Sequence, residues 1–192
     1  MLYLNQLDYR HIHYEHNINN GGVPQERRNI ATSGCGICCA CMMVEHLTPH
    51  QLSLDEAIRI NYSAGANCLI GTRMHLMGPA VADKFNLKYQ ASTDIEEVKQ
   101  CLQAGCRVII NVGGDHDDYV GLYSHGGHYI LAIAYDGKEL CILDPSYKDG
   151  KYHITPHEGK VRVDYPFTYC DPQCIVDDTQ NKETPYYLFW RK

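Results

Sequence analysis

The chain has 192 residues, enough to bury one hydrophobic core, and a single domain spanning 1–192 is expected. Seventeen Lys and Arg against 23 Asp and Glu leave a net charge of -6, which argues against a nucleic-acid surface. The sequence has no run of Lys and Arg and no apolar stretch near the roughly 20 residues of a membrane span, so no nucleic-acid or membrane partner is expected.

The N-terminal MLYLNQLDYR lacks the basic start and apolar core of an export signal, and a cytoplasmic location is the expectation. Ten cysteines are then expected to be mostly reduced, packing as small hydrophobes. Leu2, Leu4 and Leu7 suggest a short strand over residues 1–7. Residues 8–30, rich in His and Asn with Gly21, Gly22 and Pro24, read as a long loop of the kind that serves function. His11, His13 and His16 belong to that polar loop rather than to a metal site.

From Cys35 to about Leu47 the chain is apolar almost all round, which predicts a buried helix ended by Pro49. Ser53 and Glu56 form a capping-box pattern for a helix near 54–61. A third helix, roughly 73–85, follows Gly71 and Thr72, and residues 87–91 suggest a short strand. Thr93 and Glu96 make a second capping box, opening a helix that ends at Gly105. The β-branched run CRVIINV, 106–112, is a strand. GGDHDDYVGLYSHGG, 113–127, is a Gly-rich loop whose Asp115, His116, Asp117 and Asp118 read as solvated; bordering a cleft, it would serve as a lid.

HYILAIAY, 128–135, and ELCIL, 139–143, are strands joined at Asp136-Gly137, with residue 135 expected opposite 138. KVRVDY and PYYLFW are further strands, the latter closing the core with Tyr186, Tyr187, Phe189 and Trp190. Cys170 and Cys174 read as packing or surface thiols. Helices first and strands later predict an α+β fold on an antiparallel sheet.

SGCGICCACMM, residues 33–43, carries the chemistry. Cys35 lies between two glycines where loop becomes helix, so the helix dipole favours its thiolate and the glycines allow close approach. Cys38, Cys39 and Cys41 come later in the helix and read as packing residues, although Cys35 and Cys38 have the C-x-x-C spacing of a zinc site. A nucleophilic cysteine needs a base and a group that orients it. His128 begins a strand after SHGG, and is a better held candidate than His125 in the loop. Asp144 ends the next strand, within reach of His128 by the assumed register.

ATSGCGICCACMMVEHLTP, GTRMHLMGPAVADKF, GGHYILAIAYD and LCILDPSY together resemble the C39-like cysteine peptidase family of bacteria, over about Leu4 to Tyr147. The resemblance implies a papain-like fold, with N-terminal helices on the sheet. It implies Cys35 as nucleophile, His128 as general base, Asp144 as its orienting group, and no metal or organic cofactor. It also implies an N-terminal Gln in the oxyanion hole, a role that falls to Gln6, with Gln25 as the fallback and the Cys35 main-chain N–H as second donor. Two features depart from the family's pattern: Ile37 and two cysteines follow Gly-Cys-Gly, and the interval from Gln6 to Cys35 is long. The implied activity is hydrolysis of a peptide or amide substrate. Its rivals are an acyltransferase of the transglutaminase or phytochelatin-synthase kind, a silent peptide-binding module of the same fold, and a zinc or redox protein built on the cysteines. Oligomeric state has no signature in the sequence.

Overall fold

A computed structural model describes residues 2–18, 23–67, 71–154 and 156–192. The elements run α1 (Ile30–Ser33), α2 (Cys35–Leu47), α3 (Leu54–Ser63), α4 (Met74–Lys84), β1 (Leu87–Ser92), α5 (Ile95–Gln103), β2 (Arg107–Val112), β3 (His128–Tyr135), β4 (Leu140–Leu143), β5 (Val161–Asp164), β6 (Phe167–Cys170), α6 (Pro172–Asp178) and β7 (Tyr186–Arg191). The strands form one antiparallel sheet in the order β1-β7-β2-β3-β4-β6-β5.

The sheet is covered on both faces, which is why its central strands read as continuous apolar runs rather than alternating ones. Ile109, Leu131, Tyr187 and Phe189 pack with α2, α3 and α4 on one side. Val108, Ile110, Ile130 and Ala132 pack with Val98 and Leu102 of α5 and Ile175 of α6 on the other. Helix α2 is buried around most of its circumference, with Ile37 to Val44 within 1 % of full burial. Among the described residues no helix is long and apolar enough to cross a membrane.

Several local expectations are corrected. Residues 2–7 form no strand: their hydrogen bonds go to a turn across the molecule, Gln6 N to Pro145 O (2.7 Å) and Asn5 Nδ2 to Tyr147 O (2.8 Å). Gln6–Tyr9 instead make a 3-10 turn capped by Asn5. The segment 8–30 is not structureless: it holds the 3-10 turn Gln25–Arg27 and a bridge between His13 and Asn29. Tyr14 is fully buried, its hydroxyl shared with Asn61 and Thr72; residues 19–22 lie outside the described set.

Ser53 caps α3 by accepting from Glu56 N. The cap of α5, however, is Asp94 rather than Thr93, because the Asp94 carboxylate accepts from Glu96 N while Ser92 Oγ holds Asp94 N. The β3–β4 turn is four residues long, with Tyr135 opposite Leu140 and a bulge between Ala132 and Ala134. Asp136 Oδ1 accepts from both Lys138 N (2.8 Å) and Glu139 N (2.7 Å), which widens the turn beyond a two-residue loop.

Strand β6 and helix α6 carry no strong sequence signal, yet α6 organises the loop before β3. Asp178, fully buried, accepts from Leu122 N (2.7 Å), Tyr123 N (3.2 Å) and Tyr119 Oη (3.1 Å). Leu122 and Tyr123 are thereby core residues that anchor the loop 113–127, while Asp115, Asp117 and Asp118 before them and His125 to Gly127 after them are exposed. Replacing Asp178 with Ala orphans three donors, and is expected to lower the free energy of unfolding by about 2–4 kcal/mol. Urea denaturation of Asp178→Ala checks this; a loss within the few tenths of a typical surface change would contradict it.

Candidate active site

Cys35 is the first residue of α2, with Gly34 as the residue that caps it. A Cβ at Gly34 would sit 2.6 Å from Ile30 O, and one at Gly36 2.8 Å from Thr72 Cβ. The two glycines therefore let the helix start abut the chain on either side, which seats Cys35 at the wall of a cavity of about 500 Å³. Gln6, His128 and Ser146 line the same cavity.

His128 is 5 % exposed and Asp144 not at all. Extended beyond the strand ends, the β3–β4 register carries His128 to the Asp144–Ser146 turn, and His128 Nε2 lies 2.8 Å from Asp144 Oδ1. A buried carboxylate needs its full set of donors. Besides His128, Asp144 accepts from Ser146 N (2.9 Å), Ser146 Oγ (3.2 Å), Lys151 Nζ (2.5 Å) and Tyr152 Oη (2.6 Å). Burial alone would push its pKa up; the His128 hydrogen bond and the Lys151 charge hold it below the usual carboxylate range.

The same logic operates on the other two groups. Burial would lower the His128 pKa, but hydrogen bonds to Asp144 and Cys35 push it up to about 9. Burial would raise the Cys35 thiol, and the hydrogen bond and charge of His128, helped by main-chain groups of Tyr129 and Gly36, bring it below its ordinary value. Cys38 and Cys39, fully buried on the same helix, are raised well above the ordinary thiol by burial. Cys41 is raised for the same reason. One helix thus holds one acidic thiol and three inert ones.

Gln6 is buried and its Nε2 donates to Ala31 O (3.0 Å), leaving the second N–H of that amide free. Its position follows from the main-chain bond to Pro145, the neighbour of Asp144. Gln25, the fallback, is exposed in a separate groove with Arg10 and His11 and is not part of this site. His125 is also exposed and paired with Asp115 (3.0 Å), away from the thiol. His16 is buried against Arg27 O and Ser33 Oγ, while His11 and His13 do not join it. Among the described residues no three His, Cys, Asp or Glu side chains are grouped to hold a metal ion. Cys170 and Cys174 are both free thiols, Cys170 accepting from Tyr123 Oη.

The sequence reading missed Lys151, Tyr152 and the part played by Ser146. Ser146 stands in the DPSY stretch already singled out; Lys151 and Tyr152 follow in a polar turn with no pattern to mark them.

The chain matches the model of the Peptidase C39-like family over residues 6–170. Among solved structures it resembles a candidate C39-like peptidase from Bacillus anthracis, with a TM-score of 0.55 at 12 % identity, covering 83 % of this chain and 89 % of that one. No curated protein matches the chain.

Removing the Asp144 charge should release His128. In Asp144→Asn the imidazole pKa is expected to fall from about 9 to its ordinary value or lower, because burial then acts against the charged form. Ring resonances of His128 followed by NMR across pH check this, and an unchanged midpoint would refute the coupling.

Proposed function

The chain belongs to the Peptidase C39-like family, and from that premise we propose that it is a cysteine peptidase working through Cys35, His128 and Asp144 in a papain-like manner. The observation that carries this reading is the burial of His128 between an acidic thiol and a fully buried carboxylate. Since Asp144 accepts from Nε2, that nitrogen carries a proton and Nδ1 is left for Cys35.

The Cys35 thiolate adds to the carbonyl carbon of the scissile amide, and the carbonyl electrons move onto oxygen. Gln6 Nε2–H and the main-chain N–H of Cys35 meet that oxyanion. The His128 imidazolium gives its Nδ1 proton to the departing amine as the C–N bond breaks, leaving an acyl-enzyme and a neutral imidazole. Imidazole then takes a proton from water as hydroxide adds to the acyl carbon. Collapse breaks the C–S bond, frees the carboxylic acid product and restores the thiolate–imidazolium pair. Asp144 stays ionised throughout, fixing the ring and its charge. The chemistry needs no metal or organic cofactor.

Cys35→Ala is expected to lose measurable peptide hydrolysis while keeping its thermal midpoint; turnover retained in that variant would overturn the reading. Gln6→Ala should lower kcat by about 100-fold, the usual cost of one oxyanion donor, with the thiolate intact. In the native protein kcat/KM should fall as pH rises through about 9, where the imidazolium loses the proton it must donate. A profile flat to pH 10 and beyond would exclude His128 as the acid (~10 marks one unit above the midpoint).

A further inference from the structure

The cavity beside Cys35 has a charge opposite to that of the chain around it. Arg27, Arg73 and Lys182 line it, and no Asp or Glu does, although the chain as a whole carries a net charge of -6. Every Asp and Glu of the chain lies among the described residues. None of them forms an ion pair with these three cations, whereas Arg28 pairs with Glu15 and Lys151 with Asp144.

Arg73 and Lys182 are both partly buried, so their lack of a counter-charge is costly. Arg73 is firmly placed: its main-chain N–H donates to Ala66 O (2.8 Å), and its carbonyl accepts from Leu76 and Met77 at the start of α4. Its side-chain Nε is buried with no hydrogen-bond partner. Lys182 is set by the turn that follows α6, with its N–H on Thr179 O (2.9 Å). Its Nζ lies 3.5 Å from the point where a Cβ on Gly127 would be, next door to His128. Burial and the positive charge of Arg73 both lower the Lys182 pKa, as two apposed cations require. Two cations that line one cavity, with no carboxylate among its lining residues, form a cradle that an incoming anion would complete.

We propose that Arg73 and Lys182, with Arg27 at the rim, form a carboxylate-binding subsite beside Cys35, so that the preferred substrate is a peptide bearing an acidic side chain or a free carboxylate next to the scissile bond. This rests on the peptidase reading and narrows its substrate class. Arg73 offers a planar pair of donors for the carboxylate oxygens, and Lys182 a point charge.

A pair of alkylating agents tests it without a known substrate. Iodoacetate and iodoacetamide react alike, the thiolate sulfur forming a C–S bond as iodide leaves, and differ chiefly in the carboxylate. The ratio of their rates at Cys35, read by mass spectrometry, is expected to exceed the ratio for glutathione by roughly tenfold or more. It should fall towards the glutathione ratio at high salt, in Arg73→Gln, in Lys182→Gln and in the double variant. If Cys35 reacts readily with both agents at the glutathione ratio, the subsite is refuted and the peptidase reading stands. If Cys35 reacts with neither, the peptidase reading falls and takes the subsite with it.

Peptides with blocked ends carrying Glu or Gln beside the cleaved bond, and Gln peptides with a free C-terminal carboxylate, then separate the two sources of the anion. Faster cleavage of the Glu peptide assigns the subsite to a side chain. Faster cleavage of the free-acid peptide assigns it to a chain terminus. Equal cleavage of all three would refute the proposal.

Discussion

A carboxylate with no solvent exposure is the constraint around which the active region is arranged. Asp144 survives burial as an anion only because His128, Lys151, Ser146 and Tyr152 all turn donors towards it. With Cys35 as thiolate and His128 as imidazolium, the four ionised groups of this cluster sum to no net charge. Each member is stabilised by the others, so the acidity of the thiol is a property of the set rather than of Cys35 alone. That also explains why Cys38, Cys39 and Cys41, on the same helix and equally apolar in character, remain ordinary core residues: they lack a partner with which to exchange a proton.

The parts of this arrangement that depend on short-range pattern were legible in the sequence. The apolar run from Cys35 to Leu47 is a helix, and the β-branched runs around Ile109 and Ile130 are strands. The nearness of His128 to Asp144 followed even from an imperfect register, because a shift of one or two residues still leaves an Asp within reach of an imidazole. What escaped was long-range in origin. Leu2 and Leu4 have a strand's alternation, but their neighbours Asn5 and Gln6 bond to residues more than 130 positions away. Lys151 and Tyr152 sit in a turn whose composition says only that it is polar. Thr93 lost the cap to Asp94 by a single position, a difference that lies in how Ser92 bends the chain.

The sheet allows the site to combine dryness with access. Its two covered faces exclude water from β2 and β3, and the loop preceding β3 is fastened to α6 through Asp178. The end of β3 is where His128 leaves this dry interior, and the Cys35 end of α2 reaches the same level. Polar chemistry is therefore confined to one rim of an apolar body. Arg27, Arg73 and Lys182 line the rim cavity of a chain whose net charge is -6, so the local charge there runs against that of the whole.

The main-chain bond from Gln6 to Pro145 makes the N-terminal segment and the Asp144 turn a single unit of inheritance. The main-chain N–H of Gln6 is held by Pro145, the residue next to the one that carries the carboxylate, with Tyr3 Oη on the Asp144 carbonyl as a further tie (2.8 Å). A substitution that tilts the turn moves both at once, and a change in the first few residues disturbs the turn from the other side. Such neighbours do not contribute additively. Over evolutionary time the two stretches would be expected to drift together or not at all, and a chimaera that exchanged either one alone would inherit a mismatched pair.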